Sequence, residues 1–359
     1  MSDSSELIRT YRHGRTIKIS FIIACLILLF AVIGISLTIG QGISFTESYE
    51  LIFNHITGVT YPDRSEMWWK DYFIWNNVMP RVIIGIFAGA GLAIGGAMMQ
   101  SLMSNPLADP YTTGISSGAC FGAVAAIVAG VSFTSIFGSY GIVGNAFLGA
   151  LVPALIVILV SRRLGSSPAA LILVGTAIAY FFNSFVTLMM ITAEADDLQA
   201  AFLWQVGTLT GMTWSDIPLM LVITCAGSLV IMLLSKQLNL LTLGETSAKS
   251  LGLNVGQFRM ICLVLLSVMT AAVISYTGVL GFIGLVSPHV VRLVIGSDNR
   301  LVMPASIAAG ALFLVSCDLV SRVISNISDI PVGVVLSFIG SPIFLYLIIR
   351  KKNGSAEVY

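Results

Sequence analysis

Few side chains in this 359-residue chain have the type and spacing to do chemistry. Its five cysteines, Cys25, Cys120, Cys225, Cys262 and Cys317, all fall inside apolar runs. None forms a CxxC pair or a metal-ligand spacing, so they read as small packing residues and no metal site is expected. Asp318 and His289 alone place an ionisable group deep in apolar sequence. Asp318 precedes Arg322 by four residues, the spacing at which two side chains share a helix face, so local pairing is expected ahead of a proton relay. His289, in "GLVSPHVVR", has no neighbour to complete a metal site and reads as a hydrogen-bonded residue at a helix terminus. No GxxxxGK[ST] phosphate cradle occurs, so any nucleotide site must lie on another polypeptide.

The polar interruptions are more informative. "QLNLLTLGETSAKSLGLNVGQF", residues 237–258, is too polar to cross a membrane. Thr242 and Glu245 stand at capping-box spacing, and Glu245 precedes Lys249 by four in the favoured order. Gly252 can end that helix and Asn254 can start another, which predicts a pair of short surface helices carrying exposed Leu243 and Leu251. Such short, capped, mixed units suit a docking platform for a soluble partner. In "SNPLADPYTTGISSGA", residues 104–119, Asn105-Pro106 and Asp109-Pro110 drive the preceding backbone out of the α region and force a rigid turn. A third feature, "GVLGFIGLVSPHVVR" (278–292), sets four glycines and Pro288 in an apolar run.

The elements that must position these segments are membrane spans. Hydrophobic residues make up 57% of the chain and charged residues 10%, against about 25% charged in ordinary globular domains. A net charge of +1 gives no case for nucleic-acid binding. Ten apolar runs are candidates: about 17–40, 81–103, 113–131, 142–161, 168–192, 216–235, 260–277, 278–296, 302–322 and 333–349. The basic N-terminal stretch runs straight into the first, which exceeds the ~7–15-residue core of a cleavable signal and reads as an anchor. With the N-terminus in the cytoplasm, 14 of the 18 Lys and Arg fall on inner segments, leaving Arg64, Lys70, Arg81 and Arg322 outside. The outer segments are acidic, with Glu47, Glu50, Asp63, Glu66, Asp71, Glu194, Asp196 and Asp197. The expected fold is thus an all-α polytopic membrane protein with both termini cytoplasmic. Gly85/Gly89 and Gly91/Gly95 at GxxxG spacing predict close helix contacts.

These segments together resemble the permease subunits of bacterial and archaeal ABC importers for iron–siderophore complexes, haem and cobalamin, the FecCD-type family. The resemblance is carried by "PRVIIGIFAGAGLAIGGAMMQSLMSNPLADPYTTGISSGA", "LGETSAKSLGLNVGQFR", "GVLGFIGLVSPHVVRL", "DLVSRV" and "DIPVGVVLSFIGSPIFLYLI", in order over most of residues 73–349. It implies a cytoplasmic segment 1–16, a ten-helix permease domain 17–350 and a tail 351–359. It also implies a homodimer with the translocation path along its interface, and an extracytoplasmic binding protein that delivers a metal chelate. Two cytoplasmic ATPases, which hold the ATP and magnesium, would dock on Thr242, Leu243, Gly244, Glu245, Lys249, Leu251 and Gly252. This chain would then carry no cofactor and perform no catalysis.

In the family, outer arginines pair with glutamates of the binding protein; Arg81 and Arg322 match them. A third matches Val78 here, and Arg64 or Lys70 in the longer first outer loop are the substitutes on offer. Arg81 could instead anchor at the membrane interface. For the path, the inner turn of span two offers Met98, Met99 and Gln100, and span five offers Thr176, Tyr180 and Asn183. An iron(III) chelate is the first cargo implied, then haem or cobalamin. The partner permease is either a second copy or a paralogue. An ion-coupled carrier would need intramembrane ionisable groups, and a membrane enzyme would need a catalytic constellation; neither pattern is present.

Overall fold

The computed structural model describes residues 2–39, 42–131, 141–164, 167–324 and 330–353, with side chains from Thr16 onward except 161, 162, 164 and 350–353. Arg9, Arg12, Arg15, Arg162, Arg350, Lys351 and Lys352, counted above as inner charges, therefore lie outside the described side chains. Among the described residues every regular element is helical. Ten apolar helices correspond to the ten expected spans. They are α1 (Ser2–Thr38), α4 (Met79–Leu102), α5 (Ile115–Val128), α6 (Gly141–Leu164), α7 (Pro168–Ile191), α9 (Ile217–Leu233), α12 (Val255–Thr277), α13 (Ile283–Ile295), α14 (Asn299–Ile324) and α15 (Val332–Asn353). Eight are long enough to cross a bilayer unaided, while α5 and α13 are shorter. At 1.5 Å per residue α13 reaches only about 20 Å. The chain does turn after Thr277, but Val279–Phe282 is a non-helical link, so the eighth span starts later than its composition suggests.

The helix α4 forms the hub, with most of its surface inside the protein. Its glycines face different neighbours. A Cβ on Gly89 would overlap the Gly310 carbonyl of α14, and one on Gly95 would meet Leu266 and Met269 of α12 at 3.0 and 3.1 Å. A Cβ on Gly96 would overlap the Gly284 carbonyl of α13. That carbonyl has a history in the sequence: Pro288, inside α13, supplies no N–H to it. The same device recurs in α6, where Pro153 leaves the Gly149 carbonyl without its helical donor and Gly118 of α5 packs upon it. In both cases a glycine Cα–H points at the freed oxygen, a weak donor where lipid and protein offer no other. The glycines and prolines that interrupt the apolar runs thus join helices rather than break them.

Three shorter helices lie in outer segments. These are α2 (Phe45–Ile56) and α3 (Glu66–Phe73), which runs through a π-helical turn (Ile74–Val78) into α4, and α8 (Ala195–Val206). Ser44 and Glu47 form a capping box at the start of α2. The acidic outer stretch at 194–197 opens α8, with Asp196 and Asp197 in its first turn where the helix dipole favours negative charge. On the inner side lie α10 (Ser235–Leu241) and α11 (Glu245–Ser250).

Candidate functional site

The inner surface feature is built by α10 and α11. The pair starts earlier than expected, because span six continues almost directly into α10. Asn254 caps as expected, accepting from Gln257 N at 3.2 Å, but the helix it opens is the span α12 itself. The expected capping box is not formed. The N-cap of α11 is Gly244, and the Thr242 hydroxyl donates instead to the Asn239 carbonyl at 2.8 Å. Nor does Glu245 pair with Lys249; it meets Arg259 of α12 at 2.8 Å. Gly244 (φ 94°) and Gly252 (φ 89°) flank α11 in a conformation only glycine adopts freely, with open space where a Cβ would stand. Leu243 (62% exposed) and Leu251 (61%) project outward, and Glu245 and Lys249 are also exposed, while Ala248 is buried beneath. Two short inner helices are present, with Leu243 and Leu251 facing away from the bundle.

Next to it, the turn at 104–114 is as rigid as its sequence implied. Asn105 Oδ1 accepts from Leu107 N at 3.0 Å, and Asp109 Oδ1 accepts from Tyr111 N at 2.7 Å. Pro106 and Pro110 are buried, and Pro110–Thr113 forms one 3-10 turn leading into α5.

The six candidate path residues divide. Met98, Met99 and Gln100 are fully buried within one chain. Gln100 Nε2 donates to the Leu285 carbonyl at 3.1 Å, and its Oε1 accepts from Arg292 Nε at 3.4 Å. These three residues are packing and network groups and do not line a path in this conformation. Thr176, Tyr180 (73% exposed) and Asn183 instead share an outward face of α7 with Phe181 and Ser184. A cavity of about 640 Å³ opens beside α8, α15 and the link before α13, lined in part by Gln205, Gly281, Ser337, Phe338 and Ser341.

At the outer ends, Arg81 and Arg322 are held within the chain. Arg81 pairs with Asp318 at 2.7 Å and donates to Thr210 Oγ1 at 3.2 Å. Arg322 donates to the Ser36 carbonyl and hydroxyl at 2.9 and 2.8 Å. The expected Asp318–Arg322 pairing along α14 is therefore replaced by a bond between helices. Lys70 is clamped by Glu47 and Glu66 at 3.3 and 2.8 Å, and hydrogen bonding to Glu66, then Glu47, raises its pKa. Arg64, at the tip between α2 and α3, is exposed. His289 sits within α13 rather than at its terminus, and is buried. Among the described residues no group of three His, Cys, Asp or Glu could hold a metal ion.

Sequence reasoning missed the polar cluster at the inner end of α4, formed by buried Arg292, Ser101 and Asn299 with half-buried Asn239. Its one sequence signal is Arg292, a charged residue in the largely apolar helix α13.

Ten apolar helices packed about the buried α4, itself one of them, with two short helices carrying exposed leucines on the inner side, define a polytopic membrane protein. The chain belongs to the FecCD transport family, whose model matches residues 10–350. It is 39% identical over 271 residues to the cobalamin import system permease protein BtuC of Halobacterium salinarum, covering 75% of this chain and 71% of that one. It is 32% identical to the Fe(3+)-citrate import system permease protein YfmD of Bacillus subtilis, covering 95% and 98%. Its fold matches that of a metal-chelate-type ABC transporter in an inward-facing conformation, with TM-score 0.79, 26% identity and coverage of 92% and 99%. The chain is accordingly a multi-pass permease component of an ABC importer in the cell membrane.

Proposed function

We propose that this chain forms the membrane path for an iron(III) chelate, as one of two copies in an importer powered by two cytoplasmic ATPases and supplied by an extracytoplasmic binding protein. ATP and magnesium belong to the ATPases; this chain does no chemistry. The observation that carries the reading is the α10–α11 platform, whose outward Leu243 and Leu251 need an apolar partner in an otherwise polar setting. The exposed face of α7 supports a seam with a second copy, since a polar–aromatic mixture of Thr176, Asn183, Ser184 and Tyr180 suits lipid poorly. An iron chelate is favoured over cobalamin because the ferric-citrate relative aligns along nearly its whole length, including the first outer segment.

The test is the composition of the complex purified from native membranes through a tag on this chain. An ABC ATPase recovered in equal amount, with two copies of each, is expected. Recovery of this chain alone would contradict the reading.

A further inference from the structure

Both short inner helices are wired to the same turn of α4 through buried arginines. On one side, Glu245 of α11 pairs with Arg259 of α12 at 2.8 Å, and Arg259 Nη2 reaches the Leu102 carbonyl of α4 at 3.4 Å. On the other side, Asn239 of α10 donates to Asp298 Oδ1 at 2.7 Å and accepts from Asn299 N at 2.8 Å. Asn299 Oδ1 accepts from Arg292 Nη2 at 3.1 Å, and the same nitrogen donates to Ser101 Oγ at 2.7 Å and to the Ala97 carbonyl at 3.0 Å. Two routes, starting from different docking helices, thus end on residues 97–102.

The physical chemistry makes these links stiff. Arg259 and Arg292 are 3% and 1% exposed, and a buried guanidinium is tolerated only where its donors are met. At the inner end of α4 the Ala97 carbonyl accepts from Arg292 at 3.0 Å and the Leu102 carbonyl accepts from Arg259 at a longer 3.4 Å, where the C-terminus of a helix carries partial negative charge. Stretching either route would strand buried donors, so the links pass displacement on instead of absorbing it. By contrast, Gly244 and Gly252 flank α11 at positive φ with open space where a Cβ would stand, so neither flank packs against the bundle. Without the Glu245–Arg259 pair, α11 could swing with less effect on the bundle. The turn of α4 that receives both links leads straight into Ser104, in the left-handed region (φ 47°), and the rigid 104–114 turn. Asn105 N is in turn bonded back to the Gln100 carbonyl at 3.0 Å.

We infer that Arg259 and Arg292 are positioning residues that make the inner end of α4 move with the docking helices, so that displacement of α10 and α11 reaches the central helix. The inference rests on the docking reading above. Its loss would uncouple the two faces of the protein without removing the ATPase.

The test is ATP hydrolysis by the whole complex in proteoliposomes, with and without the binding protein. The variants are Arg259→Lys, Arg292→Lys and Asn239→Ala, with the double variant Arg259→Lys/Asn239→Ala. Lysine keeps the charge and stem but loses the planar fork that bridges several acceptors; Asn239→Ala cuts one route at a half-buried position. Retained ATPase and basal hydrolysis are expected, with stimulation by the binding protein falling about fivefold or more, the lower end of ordinary coupling between sites. The double variant should lose most of the remainder. Full stimulation in the double variant would overturn the inference. So would loss of the ATPase from Asn239→Ala, which would place that residue in the docking contact itself. Failure of the docking reading looks different: Leu243→Glu/Leu251→Glu would leave ATPase retention unchanged.

Discussion

Arg81 of α4 and Asp318 of α14 meet at 2.7 Å near the outer face, although 237 residues separate them in sequence. The Arg81 Nε also donates to both carboxylate oxygens, at 2.9 and 3.1 Å. Asp318 is almost wholly buried, so this is an interior ion pair rather than a surface one. With Arg322 bonded to Ser36 of α1, it ties the outer ends of three helices together.

Removing one partner leaves a buried charge unmet. Asp318→Ala is expected to destabilise the permease by about 3–5 kcal/mol, the usual cost of breaking a buried pair. Arg81→Gln/Asp318→Asn should recover much of that loss. Thermal unfolding in detergent of the wild type, Arg81→Gln, Asp318→Asn and the double variant, taken as a double-mutant cycle, checks this; additive losses would mean the pair contributes little. The cycle also matters for docking studies, because Arg81→Glu would set two carboxylates together and unsettle the fold.

Docking of the binding protein is expected to draw on Arg64, the exposed basic residue of the first outer segment. Arg64→Glu should lower the affinity and flatten its dependence on salt, as loss of an interfacial charge pair does. Unchanged affinity and salt response in a binding titration would remove Arg64 from the interface.

Packing at the hub predicts a sharp contrast between glycines. Gly96→Ala would drive a methyl into the Gly284 carbonyl and should sharply reduce the yield of folded protein. Gly256→Ala meets nothing closer than 3.9 Å and should be neutral. Size-exclusion profiles of the two variants measure the difference.

The dimer seam is tested by crosslinking in a background without the native cysteines. Tyr180→Cys and Asn183→Cys, on the exposed face of α7, should crosslink to a second copy in membranes. Met99→Cys, buried in one chain, should not. Crosslinking at position 99 alone would move the seam to another face.

The spans were legible because apolar runs of bilayer length are a composition signal, and the helix end at Gly252 and the cap at Asn254 because such signals are local. What the sequence hid was partnership across distance. Asp318 had Arg322 at helical spacing, yet the fold brings Arg81 closer, and no local rule can see that. Met98, Met99 and Gln100 could not be told from path residues, because a helix apolar on all sides does not reveal which side meets protein. Thr242 failed as a cap because Gly244, with its positive φ, starts α11 two residues later.

The measurement that tests the account most directly is uptake of labelled ferric chelates, haem and cobalamin by cells with and without this gene, each with ATP depleted or with an uncoupler at constant ATP. The account predicts that deletion abolishes uptake of one ferric chelate, and that ATP depletion reproduces the loss while the uncoupler does not. Uptake that is unaffected by deletion, or that collapses with the uncoupler while ATP is held constant, would contradict it.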